Sequence, residues 1–180
     1  TSETLEIKSI KELFAALLPQ AQTGACLLKG AIQRPLVEES RAGSTSSGTP
    51  TKWICYDLDG APFKTPQEFL DTIGMGNISY VVQYSASAGM PGSLGLSCHI
   101  FQFLSRELPA PQLKAWLTYL NLHTPALTAA ITLSRTGSSL HWPLDVTACQ
   151  NDKLLYIAPP QLGKGLKPTL KDSQRIILIN

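Results

Sequence analysis

Apolar residues recur at helical spacing in three parts of the chain. Within the first twenty residues they predict an amphipathic helix that ends near Pro19. The quartet TPQE at residues 65–68 is typical of a capping box with proline at the first helical position, and it predicts a helix over residues 66–74. A third helix is predicted to begin at Pro111 and to run to Leu122.

Short apolar runs rich in β-branched and aromatic residues predict strands between and after these helices. They are residues 25–33, 53–59, 78–87, 96–104, 129–134, 139–148, 153–159 and 175–180. Residues 40–50 are rich in Ser, Gly and Thr without periodicity, which predicts a flexible loop. Helices interspersed with strands predict a single α+β domain over residues 1–180, with an N-terminal α/β unit and one mixed sheet.

The composition indicates a folded domain. Of the 180 residues, 43% are hydrophobic and 16% charged, and no apolar run approaches the ~18 residues of a membrane helix. The net charge of +2 excludes a globally basic coat for nucleic acid but not a local cationic groove. The four cysteines lack CxxC spacing, which favours a reduced, cytoplasmic protein over a zinc site or a disulfide scaffold. Because the chain begins without methionine, we expect it to be part of a longer protein.

Two carboxylates, Asp57 and Asp59, stand one residue apart at the end of an apolar strand. Side chains at i and i+2 of a strand share a face, so both acids point the same way with Cα atoms roughly 7 Å apart. Such a pair suits two divalent ions ~3.5–4 Å apart, which stabilise the attacking and leaving oxygens in phosphoryl transfer. The alternative is a simple turn at Asp59-Gly60 beside a solvated strand end.

Two later patterns carry related chemistry. Ser97 and His99 repeat the i, i+2 spacing, so a hydroxyl and an imidazole face together while Cys98 and Ile100 face the core. Such a pair can hold a phosphate or orient a metal ligand, although it can also be structural. Asp145 lies in an apolar run, where a carboxylate needs a cation or a shifted pKa, unless it only caps a turn.

Three short segments, in this order, resemble the motifs of the archaeo-eukaryotic primase superfamily, the catalytic domain of primases and primase-polymerases. They are YDLDG (56–60), LSCHI (96–100) and PLDVTA (143–148), with similar flanking sequence in YSASAG (84–89) and NDKLLYIAPP (151–160). The resemblance covers roughly residues 52–160. It implies an RRM-like catalytic sheet with flanking helices. It also implies template-dependent primer synthesis on single-stranded DNA, in replication of a plasmid, phage or integrated element.

The same resemblance implies roles for individual residues. Asp57, Asp59 and Asp145 would be the catalytic acids and would hold two Mg²⁺ or Mn²⁺ ions, while a 3′-hydroxyl attacks the α-phosphate of a nucleoside triphosphate. The residues implied at the nucleotide are Ser85, Ser87, Ser97, His99 and Lys153. Many members of that family carry Lys or Arg where this chain has Gly95, so another cation must replace it: Arg135, Lys153 or Lys164, of which Lys153 is the preferred candidate.

Single-stranded template binding requires cations near aromatic side chains. The candidates are Arg135, Trp142, Lys164 and Lys167, the last two in a basic loop that precedes the final strand. The resemblance further implies a helicase, or a further domain of the same chain, as a partner, and no membrane.

Two other functions remain open from the sequence. The segment YDLDGAPFKTPQEF (56–69) is also similar to the opening motif of haloacid-dehalogenase-type phosphatases, with Asp57 as nucleophile and Asp59 as acid/base. Against that assignment, Ala61 stands where Thr or Val is expected, and the late acidic pair for magnesium is missing. The third possibility, which Gly95 keeps open, is a catalytically degenerate module that binds single-stranded nucleic acid.

Overall fold

The computed structural model describes residues 3–34, 36–40 and 43–180. Its helices and strands are α1 (Ile10–Gln22), β1 (Cys26–Leu28), β2 (Thr51–Ala61), α2 (Pro66–Thr72), β3 (Tyr80–Tyr84), β4 (Leu96–Leu108), α3 (Ala110–His123), α4 (Pro125–Ala129), β5 (Thr132–Leu133), β6 (Leu140–His141), β7 (Leu154–Tyr156) and β8 (Ile176–Ile179). This mixture of helices and antiparallel sheets confirms the α+β class, but the prediction of one mixed sheet is wrong, because the strands so described form three sheets in which every pairing is antiparallel. Within the described ranges, none of the helices has the length and apolarity that crossing a bilayer requires.

Four strands form the main sheet, in the order β2-β4-β3-β8, and every pairing is antiparallel. Because β2 and β3 both run antiparallel to β4, which lies between them, they run in the same direction, and α2 connects them. Beyond β2, Leu144 forms an isolated antiparallel bridge with Leu58. The chain after β6 therefore extends the sheet on the side where β2 would otherwise be an edge.

One face of this sheet, which we call the two-helix face, is apolar except at Gln102, whose amide donates hydrogen bonds to the carbonyls of Met75 and Ile78. It carries Ile54, Tyr56, Leu58, Val82, Cys98 and Ile100, which are all buried. Phe69 and Leu70 of α2 and Leu113 and Leu117 of α3 belong to the same cluster. The predicted inward orientation of Cys98 and Ile100 is confirmed. At ~25 cal/mol per Å² of apolar surface, this cluster is a main source of stability.

The opposite face, which we call the acid face, is apolar along only part of its length. Its apolar part carries Cys55, Val81 and Phe101, which pack with Leu13 and Leu17 of α1. The rest of this face carries Asp57, Asp59, Gln83, Ser97 and His99. Strand alternation explains the division, because the odd-numbered residues of β2 as far as Asp59, and Ser97, His99 and Phe101 of β4, point to this side; the register shift after Leu58 turns Ala61 to the other.

The N-terminal unit differs from its prediction at the helix end. The side chain of Ser9 caps α1, and the helix continues through Pro19 to Gln22. Proline removes one hydrogen bond near the end of the helix, but Leu17 and Ala21 on either side remain buried against the sheet. Packing therefore carries the helix past the residue at which local preference would end it.

The loop predicted over residues 40–50 and the strand predicted over residues 139–148 both differ in part from the structure. The loop predicted over residues 40–50 includes Arg41 and Ala42, which lie outside the described residues; later in it, the Asn151 side chain donates hydrogen bonds to the carbonyls of Ser46 and Thr49. The strand predicted over 139–148 is reduced to β6, because a bend and a 3-10 turn follow it. Pro143 lacks the N–H that a regular strand pairing needs.

Candidate functional site

His99 faces Asp57 across neighbouring strands at the polar end of the acid face. The two residues are direct partners in the β2–β4 register. His99 Nε2 lies 3.4 Å from Asp57 Oδ1, and the side chains are 10% and 21% exposed. On its other side, His99 Nδ1 lies 2.5 Å from Oε1 of Gln83. This amide holds the imidazole ring in place, so the histidine presents one nitrogen to the acid.

The second acid, Asp59, follows on the same face and is exposed to solvent. Ser97 joins it to β4: the Ser97 hydroxyl accepts a hydrogen bond from the backbone N–H of Gly60 at 2.8 Å and lies 3.5 Å from Asp59 Oδ1. The register shift between Leu58 and Ala61 lies at this point. The predicted i, i+2 pairs, two acids on one strand and Ser97 with His99 on the next, thus lie side by side.

The third acid is brought to this pair through the backbone. The N–H of Asp145 donates to the carbonyl of Asp57 at 2.8 Å, and the N–H of Asp59 donates to the carbonyl of Pro143 at 3.2 Å. Nearly ninety residues of chain separate Asp57 from Asp145, yet their main chains are hydrogen-bonded. The sequence prediction that these motifs converge is therefore consistent with the backbone geometry.

The Asp145 carboxylate already has several partners. It accepts hydrogen bonds from the Thr147 N–H at 2.7 Å, from the Thr147 hydroxyl and from Lys153 Nζ at 2.7 Å. Asp145 also caps the 3-10 turn Val146–Cys149. The capping role weighed for this residue and its place beside Asp57 are thus both present in the same geometry.

The ion pair between Asp145 and Lys153 shifts the pKa values of both side chains. Burial alone raises the pKa of Asp145, but the hydrogen bonds from Lys153 and Thr147 outweigh burial and hold that pKa below its usual 3.8. Burial likewise lowers the pKa of Lys153, yet the bond and charge of Asp145 raise it above the usual 10.5, with Asp57 adding a smaller effect. Both side chains are therefore charged around neutral pH.

The three carboxylates supply oxygen ligands of the kind that Mg²⁺ and Mn²⁺ prefer. They are not arranged as a ready-made metal centre, because the described part of the chain contains no group of three or more His, Cys, Asp or Glu side chains that could hold an ion. Lys153 Nζ, 2.7 Å from Asp145 Oδ2, is the charge that now balances this acid. A metal ion that uses Asp145 must therefore displace Lys153.

Ser85 and Ser87, the implied nucleotide contacts ahead of the second motif, lie near Ser97. The Ser85 hydroxyl donates to the Ser97 carbonyl at 3.1 Å and lies 3.1 Å from the Ser87 hydroxyl. The start of the glycine-rich loop after β3 therefore lies at the same end of the sheet as the acids.

Gly95, at which the sequence resemblance led us to expect a cation, has a backbone reason to be glycine. Its φ is +73°, and a Cβ there would lie 2.5 Å from the carbonyl oxygen of Ala61. Side chains other than hydrogen are excluded by this approach unless the backbone moves. The missing cation at this position is thus a consequence of how the loop crosses the end of β2.

The residues predicted at the template are dispersed. Arg135 is exposed in the turn between β5 and β6, and Lys164 and Lys167 are exposed in the long loop before β8. Trp142 is partly buried against the two-helix core. Among the described residues, none of these three cations is hydrogen-bonded or ion-paired to the acids.

Sequence reasoning missed three residues of this region: Gln83, Thr147 and Lys29. The spacing Asp-x-Thr at 145–147 is a signal for a capped turn and could have indicated Thr147. Lys29 has no comparable signal, because a lysine after a short strand is usually exposed.

Lys29 is in fact buried beneath the acid face. Its Nζ donates to the carbonyl of Cys149 at 3.4 Å and lies 5.7 Å from the centre of the Trp53 ring. Burial lowers the pKa of Lys29 to about 8, and the neighbouring thiols of Cys149 and Cys55 offset only part of that effect. A second cation besides Lys153, this one buried, therefore lies beside the apolar part of the acid face, against Trp53, with a pKa of about 8.

Comparison with known proteins adds no family to this geometry. The chain matches none of the protein-family models, none of the curated proteins and none of the solved structures with which it was compared.

Proposed function

We propose that this chain is a template-dependent nucleotidyltransferase that synthesises primers on single-stranded DNA, in replication of a plasmid, phage or integrated element. One observation carries the proposal: the backbone hydrogen bond from Asp145 to Asp57, 2.8 Å long, which brings the third acidic motif beside the first. Such an approach between residues so far apart in sequence is what a shared polar site requires. His99 opposite Asp57 agrees with the second motif of the resemblance.

The connectivity of the main sheet supports the same proposal. In chain order the elements are β2, α2, β3, β4 and α3, followed by the segment bridged at Leu144. In space that segment, β2, β4 and β3 are neighbours in this order, with α2 and α3 packed on one face. This order agrees with the split β-α-β arrangement expected of an RRM-like sheet. The acids lie on the part of the other face that α1 does not cover.

In this proposal Asp57, Asp59 and Asp145 hold Mg²⁺ or Mn²⁺, which supplies charge stabilisation for phosphoryl transfer. His99, oriented by Gln83, and Ser97 contact the phosphates of a nucleoside triphosphate. Lys153 neutralises Asp145 before the ions arrive and is then free to contact the phosphates. The template cations Arg135, Lys164 and Lys167, and a helicase or further domain, remain parts of the proposal.

The test is incorporation of labelled nucleotide on circular single-stranded DNA with Mg²⁺ or Mn²⁺. We expect Asp57→Asn and Asp145→Asn each to reduce incorporation by about 10²-fold or more, because charge stabilisation in the transition state is lost. Asp71→Asn, the same change at an exposed aspartate of α2, is the matched control and should incorporate like the unaltered protein. Activity near that of the unaltered protein in either site variant would reject the assignment.

His99→Ala separates this proposal from the phosphatase alternative. For a nucleotidyltransferase, we expect the KM for nucleotide to rise about tenfold, the loss of one charge-assisted contact. A phosphatase that uses Asp57 as nucleophile would hydrolyse a phosphomonoester without metal-dependent incorporation and would be indifferent to His99.

The remaining alternative, a module that only binds, predicts retention of single-stranded DNA without incorporation by the unaltered chain. Gly95 was the sequence reason for considering it. Because the backbone at Gly95 admits no side chain, the missing cation is not in itself a sign of lost catalysis. A gel-shift measurement on the same samples as the incorporation assay decides between the two.

A further inference from the structure

A cavity of about 280 Å³ opens beside the acid site, at the end of the sheet where the glycine-rich loop crosses it. Its lining includes Lys64, Tyr84, Ala88, Ser97 and Leu170. Ser97 is shared with the acid site, because its hydroxyl also lies 3.5 Å from Asp59 Oδ1. A molecule that occupies this cavity therefore adjoins Asp59.

The walls of the cavity are braced on both sides. Thr169 donates hydrogen bonds to the carbonyl of Gly89 from its N–H at 2.8 Å and from its hydroxyl at 3.1 Å. The guanidinium of Arg175 is buried and donates to the carbonyl of Ser85 at 2.8 Å and to Asp172 at 3.3 Å. The loop after β3 and the segment before β8 are thereby tied together, so the space between them is built into the fold.

Both glycines in this lining are held by close approaches. A Cβ at Gly95 would lie 2.5 Å from Ala61 O, and a Cβ at Gly89 would lie 2.8 Å from Leu170 Cβ. Each glycine also has a positive φ, which other residues rarely adopt. The shape of the cavity thus depends on glycine at both positions, because any other residue there would strain the backbone.

The chemistry of the lining selects among possible occupants. Lys64 is the one cation in it, and the Ser97 and Thr169 hydroxyls are already engaged, whereas Tyr84, Ala88 and Leu170 offer ring and aliphatic surface. A chain of phosphates would leave most of that surface unused. The lining as a whole is about half polar and half apolar, which suits a group that has both kinds of surface, such as an aromatic base joined to a sugar with hydroxyls. Its volume is slightly below the ~300–1,000 Å³ of drug-sized sites, which suits one nucleoside.

We infer that this cavity receives the sugar and base of the nucleotide whose phosphates the acid site binds. The inference rests on the proposed function and adds where the nucleoside lies. Tyr84 supplies the stacking surface, Ser97 and Lys64 border the sugar, and Asp59 marks the side from which the phosphates extend.

The experiment compares binding of two probes, ATP and inorganic tripolyphosphate, each with Mg²⁺, by titration calorimetry. Ala88→Phe fills the cavity and should weaken ATP binding at least tenfold while tripolyphosphate binding stays within twofold. Ala86→Phe, an exposed position of the same loop outside the lining, is the matched control and should leave both affinities within twofold. Retained tripolyphosphate binding also shows that Ala88→Phe is folded.

A second measurement needs no variant. In the unaltered protein, the amide resonances of Gly89 and Gly95 should shift with ATP and stay in place with tripolyphosphate. The inference is overturned if Ala88→Phe binds ATP as the unaltered protein does, if it weakens both probes equally, or if neither glycine resonance responds to ATP.

Failure of the inference and failure of the proposed function give different results. If the unaltered chain incorporates nucleotide and Ala88→Phe binds ATP normally, the nucleoside subsite is rejected and the proposed nucleotidyltransferase activity is retained. If Ala88→Phe weakens ATP binding but the unaltered chain incorporates no nucleotide, the subsite is retained and the polymerising activity is rejected.

Discussion

The two faces of the main sheet are made by the same strands but meet different surroundings. On the two-helix face, Ile54, Tyr56, Leu58, Cys98 and Ile100 are buried under α2 and α3. On the acid face, α1 covers only the part around Cys55 and Phe101, and beyond it the same strands carry acids, an imidazole and a hydroxyl.

The difference shows how a sheet separates stability from chemistry. A residue on the two-helix face lies among apolar neighbours, so a polar group there needs hydrogen-bond partners within the protein, as Gln102 has in the carbonyls of Met75 and Ile78. On the acid face, Asp57 and His99 are close to each other and their side chains remain partly exposed. His99 also contacts Gln83, and the carbonyl of Asp57 accepts a hydrogen bond from the main chain of Asp145. Side-chain alternation alone, one residue to each side, allows β2 and β4 to serve both purposes.

Neighbouring residues of β4 provide the strongest test of this separation. Ile100→Ala removes a fully buried side chain from the two-helix face, and we expect it to lower the free energy of unfolding by about 2–5 kcal/mol. Urea denaturation measures this change. Nucleotide binding by the folded fraction should be unaltered, because Ile100 faces away from the acids.

His99→Ala is the matched variant on the other face of the same strand. His99→Ala should lower the free energy of unfolding less than Ile100→Ala does, and it should weaken nucleotide binding more. The reverse ranking, with Ile100→Ala neutral for folding or His99→Ala neutral for binding, would contradict the division between the faces.

The parts of this organisation that alternation controls could be predicted from the sequence. The i, i+2 spacing of Asp57 with Asp59 and of Ser97 with His99 fixed which side chains share a face, and the strand assignments of β2, β3 and β4 are confirmed. The capping quartet before α2 was equally informative, since Thr65 accepts from the N–H of Glu68 as that pattern predicts. These signals are local, so a single sequence contains them.

The contacts between distant segments could not be derived in this way. Local pattern predicted a strand around Asp145, whereas the chain turns after Pro143 and approaches Asp57 through one backbone bridge. The burial of Lys29 depends on Trp53 and on the carbonyl of Cys149, more than a hundred residues away. The reason for Gly95 likewise appears only where the loop meets Ala61.

Lys29 tests how far the apolar part of the acid face excludes water. Its pKa in the folded protein is about 8, below the usual 10.5, so between these values the folded state has released a proton that the unfolded state retains. Raising the pH through this window therefore stabilises the protein. At about 1.36 kcal/mol per unit, the contribution is roughly 3 kcal/mol.

The measurement is the difference in unfolding free energy between Lys29→Met and the unaltered protein as a function of pH. The variant should be relatively most stable below about pH 8, and its advantage should shrink by roughly 3 kcal/mol towards pH 10.5. Cysteines and tyrosines titrate in both proteins and largely cancel in the difference. Lys11→Met, at an exposed position of α1, is the control; a pH-independent difference for Lys29→Met would mean that Lys29 is hydrated.

Lys153 gives the smallest expected effect, at the boundary between the two parts of the acid face. Its side chain and that of Asp145 are 30% and 33% exposed, between a surface pair worth ~0–1 kcal/mol and a buried one whose disruption costs ~3–5. In metal-free buffer we expect Lys153→Gln to lower the free energy of unfolding by about 1 kcal/mol at neutral pH.

The pH dependence of that loss follows from the directions of the two pKa shifts. The lowered pKa of Asp145 means that the stabilisation is present above its usual 3.8 and is lost as the pH falls through the folded value. The raised pKa of Lys153 means that the stabilisation is present below 10.5 and is lost as the pH rises through the higher folded value. The cost of Lys153→Gln should therefore decrease as the pH falls below 3.8 and vanish once Asp145 is protonated in the folded protein. Because an ion at Asp145 must displace Lys153, the same variant should also bind Mn²⁺ several-fold more tightly; unchanged Mn²⁺ affinity would remove Asp145 from the proposed ligands while leaving its backbone contact with Asp57 intact.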